Sequence, residues 1–520
     1  MSSAPSSERV GTSALASEQG KNSIVIPFEA STDPAPSCRI DHLVFSRLKR
    51  LAIRPANLCS DAVFVRRAYL DVIGTLPTAE ETTQFLGEAN PGKRSALIDR
   101  LLARQEFADY WAMKWSDLLR IKAEFPINLW PNAAQAYHHW VRSWIRDNRP
   151  YDLFVREMLT ANGSNFRVPQ VNFCRALQNK EPRAIAQAVA LAFMGVRAEK
   201  WPEARLREMS VFFSQIDYKP TREWKEEIVF FNPEKMHAPR SATLPDGVRV
   251  QLRPEQDARL VFATWLTNPH NPWFARNIVN RIWSWLLGRG IVHEPDDMRP
   301  DNPPQHPELL AYLAQELSAS HCDLKRIYRL ILNSQTYQLS SIPATDNPAG
   351  AANFAYYPLR RLSAEVLIDA LCQITGSGEE YTSAVPEPFT VMPAGERAIR
   401  LPDGSITSSF LELFGRPPRD TGLESERSDR PSAAQRLHLL NSTHIQRKIE
   451  QSESLQDLVR TAKQPRDVVN GLYLTILSRY PTDEELETVK AYSGGALKRR
   501  DALVDLAWAL INTSEFLYRH

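Results

Sequence analysis

The sequence predicts a mainly α protein, with two helical domains and a small β-containing junction between them. Three observations carry this. Apolar residues recur at helical spacing through most of the chain, in segments opened by capping residues or Pro and closed by Gly. That periodicity weakens between Glu199 and Val250, where EWKEEIVFF and ATLPDGVRVQL read as strands. The chain has 520 residues, 43% hydrophobic and 24% charged, which suffices for two or more cores.

Taken in order, residues 1–38 are Ser-, Ala- and Pro-rich and read as a disordered leader. An N-terminal helical domain is expected over 39–215. It opens with the amphipathic DHLVFSRLKRLAI, then DAVFVRRAYLDVIG, capped by Asp61 and stopped at Gly74. LPTAEETTQFLGEA, PGKRSALIDRLLAR and FADYWAMKWSDLLRI add three helices with short Pro/Gly turns. Residues 132–149, 151–160 and the Ala-rich 183–197 add three more. His138 and His139 are neighbours on one helix and point to different sides, so they do not share a metal. The junction spans 216–254, and a second helical domain spans 255–520. Within it, 376–409 is a Gly/Ser/Pro-rich excursion. Near its end, SRYPTDEEL repeats the pattern of GTLPTAEET.

The densest chemistry lies in 271–310, NPWFARNIVNRIWSWLLGRGIVHEPDDMRPDNPPQHPELL. A helix capped by Asn271 and stopped by Gly288 carries Arg276, Asn280 and Arg281 among apolar residues. A buried arginine needs a carboxylate, and Asp296 and Asp297 follow, with Arg299, His306 and Glu308 beyond. Carboxylates with a histidine can hold a hard cation or exchange protons. The same residues more readily make an ion-pair network that fixes the loop to the helix. A second polar stretch carries Arg416, Arg419, Glu424, Glu426, Arg427, His438 and Asn441. Converging arginines there can take a sulfate, phosphate or carboxylate, or pair internally. Arg360 and Arg361 can join them, ahead of Ser363 as a helix cap.

The net charge of +2 gives no field toward nucleic acid or membrane, and no apolar run is long enough to span a bilayer. Five dispersed cysteines do not suggest a disulfide framework. The N-terminus shows no signal peptide. No phosphate-binding loop, nucleophile elbow or zinc-protease motif occurs. The tryptophans at helical spacing read as core anchors.

The segments FVRRAYLDVIGTLPTAEE, NPWFARNIVNRIWSWLLGRGIV, DLKRIYRLILNSQTYQLSS, RRLSAEVLIDALCQITG, FLELFGRPPRD and AQRLHLLN resemble the paired domains of unknown function 1549 and 1553. The resemblance runs from about residue 40 to 520. It implies a planctomycete or verrucomicrobial protein of a cytochrome-c-associated family. It also implies export and a sulfatase- or phosphatase-like partner encoded nearby. Two departures stand out. Many relatives carry Cys-x-x-Cys-His after the Gly-Val-Arg that ends the Ala-rich helix; here Ala198, Glu199 and Lys200 follow Arg197. Many carry Cys-Glu-Cys-Glu-Arg further on; here it is Leu423, Glu424, Ser425, Glu426 and Arg427. Neither haem, nor a thiolate-held metal, nor any other cofactor is therefore expected.

Three functional readings follow. The first is a non-haem scaffold or partner of a sulfatase/phosphatase-like system. The second is an enzyme on sulfated or carboxylated polysaccharide, which requires Asp297, His306, Arg416 and Glu426 to face one cleft. The third, a redox protein, is disfavoured by the missing cysteines.

Overall fold

The computed structural model describes residues 27–392, 394–493 and 500–520. Helix makes up 54% and strand 7%, so the protein is mainly α.

Local chemistry explains where the helices start. Ser60, not Asp61, caps the Asp61–Val72 helix, its Oγ accepting from the Val63 N–H at 3.3 Å. Asp61 lies one residue inside the helix and instead pairs with Lys93 at 2.7 Å and Arg94 at 2.8 Å. The two Pro-Thr turns are built alike. Thr78 and Glu81 exchange side-chain and main-chain bonds in a capping box, as do Thr482 and Glu485. Trp273, not Asn271, stands at the cap position of the Phe274–Leu287 helix, although Asn271 Oδ1, two residues earlier, accepts from the N–H groups of Trp273 and Phe274. The Phe274–Leu287 helix stops at Gly288, where φ is +69° and a Cβ would meet Arg360 Cδ at 2.4 Å.

Most of the β structure lies where helical spacing fades. Ile216–Pro220 and Glu227–Phe231 pair antiparallel, and Gly163–Ser164, from far upstream, adds a third strand. Arg240–Thr243 and Arg249–Leu252 form a separate hairpin around the Asp246-Gly247 turn. A helix, Glu203–Ser210, occupies part of the region where periodicity weakens.

One hydrophobic cluster runs from Ile40 to Phe516 and includes Trp111, Trp115, Trp144, Trp283 and Trp285 as anchors. The N-terminal helices are tied to the C-terminal ones by buried polar bonds. Arg66 donates to the main-chain oxygens of Ile476 and Phe516, and Arg67 to those of Tyr337, Leu339 and His520. Tyr518–Arg519 forms a short strand against Arg360–Arg361. Of the leader expected to be disordered, residues 1–26 lie outside the described residues. Residues 27–38 are bound to the body: the Ala30 N–H donates to Leu58 O and the Ala35 N–H to Gln335 Oε1. Those bonds satisfy backbone that composition alone left free.

Candidate functional site

The first sequence cluster divides. Arg281 is buried and meets Asp296, equally buried, at 2.7 Å, while also donating to Leu191 O at 2.9 Å. The other oxygen of Asp296 accepts the Glu424 N–H at 2.7 Å, so this carboxylate pins the 421–427 loop to the Phe274–Leu287 helix. Asn280 exchanges two bonds with the main chain of Val292. Asp297 pairs with Arg299 at 3.1 Å. Arg276 and Glu308 are exposed. His306 is buried against Phe354, and burial, then Arg47 and Arg50, push its imidazole down to about 4.

The second cluster also divides. Arg427 is held by Glu365 at 2.7 Å and by Asp117 at 2.6 Å. Arg419, fully buried, takes the other oxygen of Asp117 at 2.9 Å. Arg416 lies 3.8 Å from Glu365 and donates to the carbonyls of Ile406 and Asp403. Three guanidiniums thus share two carboxylates. Burial alone would raise the Glu365 carboxyl, but Arg427 and then Arg416 outweigh it and hold it at about 2. Glu426 accepts the Thr421 N–H at 2.6 Å. His438 faces His444, which in turn meets Glu379 at 3.0 Å, and Asn441 is exposed at a helix end.

Asp297, His306, Arg416 and Glu426 do not face one cleft. Asp297 lines one cleft with Arg276, and Arg416 lines another with Lys122 and Glu412. His306 is packed into the core, and the bonded oxygen of Glu426 is turned onto its own loop.

The structure instead gathers parts of both polar stretches around a cavity of about 220 Å³. His293–Pro295 and Ser284–Trp285 come from the first stretch, Glu424 and Arg427 from the second, and Lys114 from the N-terminal half. Arg360, Arg361 and Arg519 line it too. Arg360 and Arg519 share Asp71, at 3.3 and 2.9 Å. Arg361 spends its bonds on the carbonyls of Phe414, Ser428 and Asp429. Five cationic side chains therefore line the cavity against three acidic ones, Glu294, Glu424 and Asp429. Glu294 is taken by Arg197 at 3.2 Å, and one oxygen of Glu424 by the Trp285 indole N–H at 3.1 Å.

Lys114 and the Ser363 hydroxyl are among the uncommitted lining groups. Lys114 is half-buried and has no ion-pair partner among the described residues. Ser363 stands at the N-terminus of the Ala364–Thr375 helix, 3% exposed, yet its Oγ makes no capping bond and no other hydrogen bond. Sequence reasoning missed Lys114, Asp117, Asp71 and Arg519. Lys114 had a signal: it is the one lysine within the largely apolar Gln105–Leu118 helix. Glu365 and Asp117 had none, since their arginine partners are far away in sequence.

Among the described residues no group of three His, Cys, Asp or Glu side chains is placed to hold a metal ion. The residues that follow Gly195-Val196-Arg197 form a short 3-10 turn, Ala198–Lys200, without thiol or imidazole, and do not fit covalent haem. No helix is long and apolar enough to cross a membrane among the described residues.

Residues 39–204 match the family described as PSCyt2, protein of unknown function (DUF1549). Residues 258–493 match PSD1, protein of unknown function (DUF1553). No curated protein and no solved structure matches the chain. Each half of the fold thus carries one match, with the cavity lined from both, and the chain belongs to the family that pairs these two domains.

Proposed function

We propose that the protein is a binding partner that holds an anionic group, a sulfate, phosphate or carboxylate, in the cavity between its two matched segments. The observation that carries this reading is the pair of uncommitted donors, Lys114 and the Ser363 hydroxyl, in a lining with excess positive charge. A helix N-terminus next to them adds main-chain N–H groups and a favourable dipole. The partnership with a sulfatase- or phosphatase-like protein, implied by the resemblance, fits this chemistry, because such a partner handles the same oxyanions.

Sulfate and phosphate titrated into the purified protein are expected to raise its melting temperature, with little rise in Lys114→Ala. The absence of any rise in the unsubstituted protein would sink the anion reading. Affinity capture at native expression level tests the partnership, and recovery of the chain alone would count against it.

A second reading, an enzyme acting on sulfated or carboxylated polysaccharide, loses its basis in Asp297, His306, Arg416 and Glu426, which share no cleft, and keeps one observation in its favour at the anion cavity. His293 lines the cavity, and partial burial, then Arg289, hold its imidazole below the ordinary histidine value, which keeps it neutral and able to accept a proton. Release of sulfate from a sulfated oligosaccharide, lost in His293→Ala, would establish this reading over simple binding.

A further inference from the structure

The segment that walls the anion cavity through His293–Pro295 also contributes Val292 and Asp297 to a second cleft of about 490 Å³. Two half-buried tryptophans, Trp201 and Trp273, line this cleft. Arg205 stacks over Trp201 at 4.0 Å, and its guanidinium lies 6.0 Å from the ring of Trp273. Trp273 and Arg276 are three residues apart at the start of the Phe274–Leu287 helix, and both face the cleft. Arg276 is exposed and has no ion-pair partner among the described residues. Asp297 and Asp301, which also line the cleft, are both engaged by Arg299, at 3.1 and 3.0 Å.

We propose that this cleft binds an acidic sugar, a pyranose bearing a carboxylate or sulfate. The ring packs on the open part of Trp273, and the anionic group meets Arg276. The hydroxyls reach Asp301 and the side-chain oxygen of Asn302, whose amide nitrogen is already bonded to Asp297 O at 2.9 Å. The mixture of groups selects the ligand class. Sugar hydroxyls donate as well as accept, so carboxylates among the arginines are useful to them. A phosphodiester backbone offers only acceptors, so the carboxylates of Asp297 and Asp301 would find no donor on it. The site uses neither Lys114 nor Ser363 and stands apart from the anion cavity.

Calorimetric titration of the whole chain carrying Lys114→Ala, which removes carboxylate binding in the anion cavity, with glucuronate, glucose and oligothymidylate tests the assignment. Glucuronate is expected to bind at least about tenfold more tightly than glucose, since a hydrogen bond to a charged group is worth that much. Arg276→Ala is expected to remove the difference, and Arg276→Lys to restore part of it. Arg276 is solvent-exposed, so its replacement leaves the fold intact, which an unchanged melting temperature would confirm. No binding of glucuronate, equal binding of glucose, or glucuronate binding undiminished in Arg276→Ala would overturn the proposal. Tighter binding of oligothymidylate than of glucuronate would overturn it in favour of a nucleic-acid surface.

Discussion

Asp71 and Arg519 lie 448 residues apart in the chain and meet, both buried, at 2.9 Å. The same carboxylate accepts from the hydroxyls of Tyr357 at 2.7 Å and Tyr337 at 3.0 Å, and from Arg360 at 3.3 Å. Four donors from the C-terminal half thus converge on one acid of the N-terminal half, immediately behind the anion cavity.

Removing that acid leaves Arg519 and Arg360 buried without their counter-charge. Asp71→Ala is expected to cost about 3–5 kcal/mol of stability. Urea unfolding checks it, and a double-mutant cycle with Arg519→Ala should show strong coupling. Additive losses would mean that the pair contributes little of its own.

Asp296→Ala has two effects. It strands the buried Arg281, at a cost of about 3–5 kcal/mol, and it frees the Glu424 N–H that fixes the 421–427 loop. Sulfate affinity should therefore fall along with stability, although Asp296 does not line the cavity. Unaltered sulfate binding in a folded variant would show that the loop holds its place without this bond.

Lys114→Ala and Ser363→Ala should behave differently from ordinary substitutions at their positions. Losing a serine helix cap usually costs about 1 kcal/mol, but Ser363 makes no capping bond, so its loss is expected to change stability by less than about 0.5 kcal/mol. Ser432→Ala, which removes a complete capping box, is the control and should show the full cost. Thermal unfolding with and without sulfate separates the two roles, since only the Ser363 and Lys114 variants should lose the response to anion.

Acid should destabilise the fold through its buried histidines. Burial is the leading cause that pushes His138 and His520 down to about 3 and His306 to about 4. Nearby arginines, among them Arg419, Arg66 and Arg47, add to it. Unfolded, each imidazole protonates near pH 6.5; folded, each stays neutral. The stability is thus present above that value and lost as pH falls through the window from about 6.5 to 4. With three such groups the loss reaches up to about 4 kcal/mol per pH unit. A melting temperature that is flat over this window would contradict the burial of these rings.

Helical periodicity, caps and Gly stops were legible because they are local: Asn271, Gly288 and the two Pro-Thr boxes act within four residues. The Arg281–Asp296 pair was legible for the same reason, its partners lying on consecutive elements. The carboxylates that hold Arg427 and Arg419 were not, because Glu365 and Asp117 are separated from them by 62 and about 300 residues. Spacing cannot report such a pairing. His306 looked like a ligand beside Glu308, yet it sits one position before a helix whose inward face takes it into the core.

Arg66 is bonded to Phe516, 450 residues later in the chain. At a synthesis rate of about 5–20 residues per second, its partner emerges on the order of half a minute or more after it. During that interval the Asp61–Val72 helix carries two arginines whose final acceptors have not been made. The N-terminal segment cannot reach its final state until those acceptors have emerged, and a chaperone that shields it until then would raise its yield.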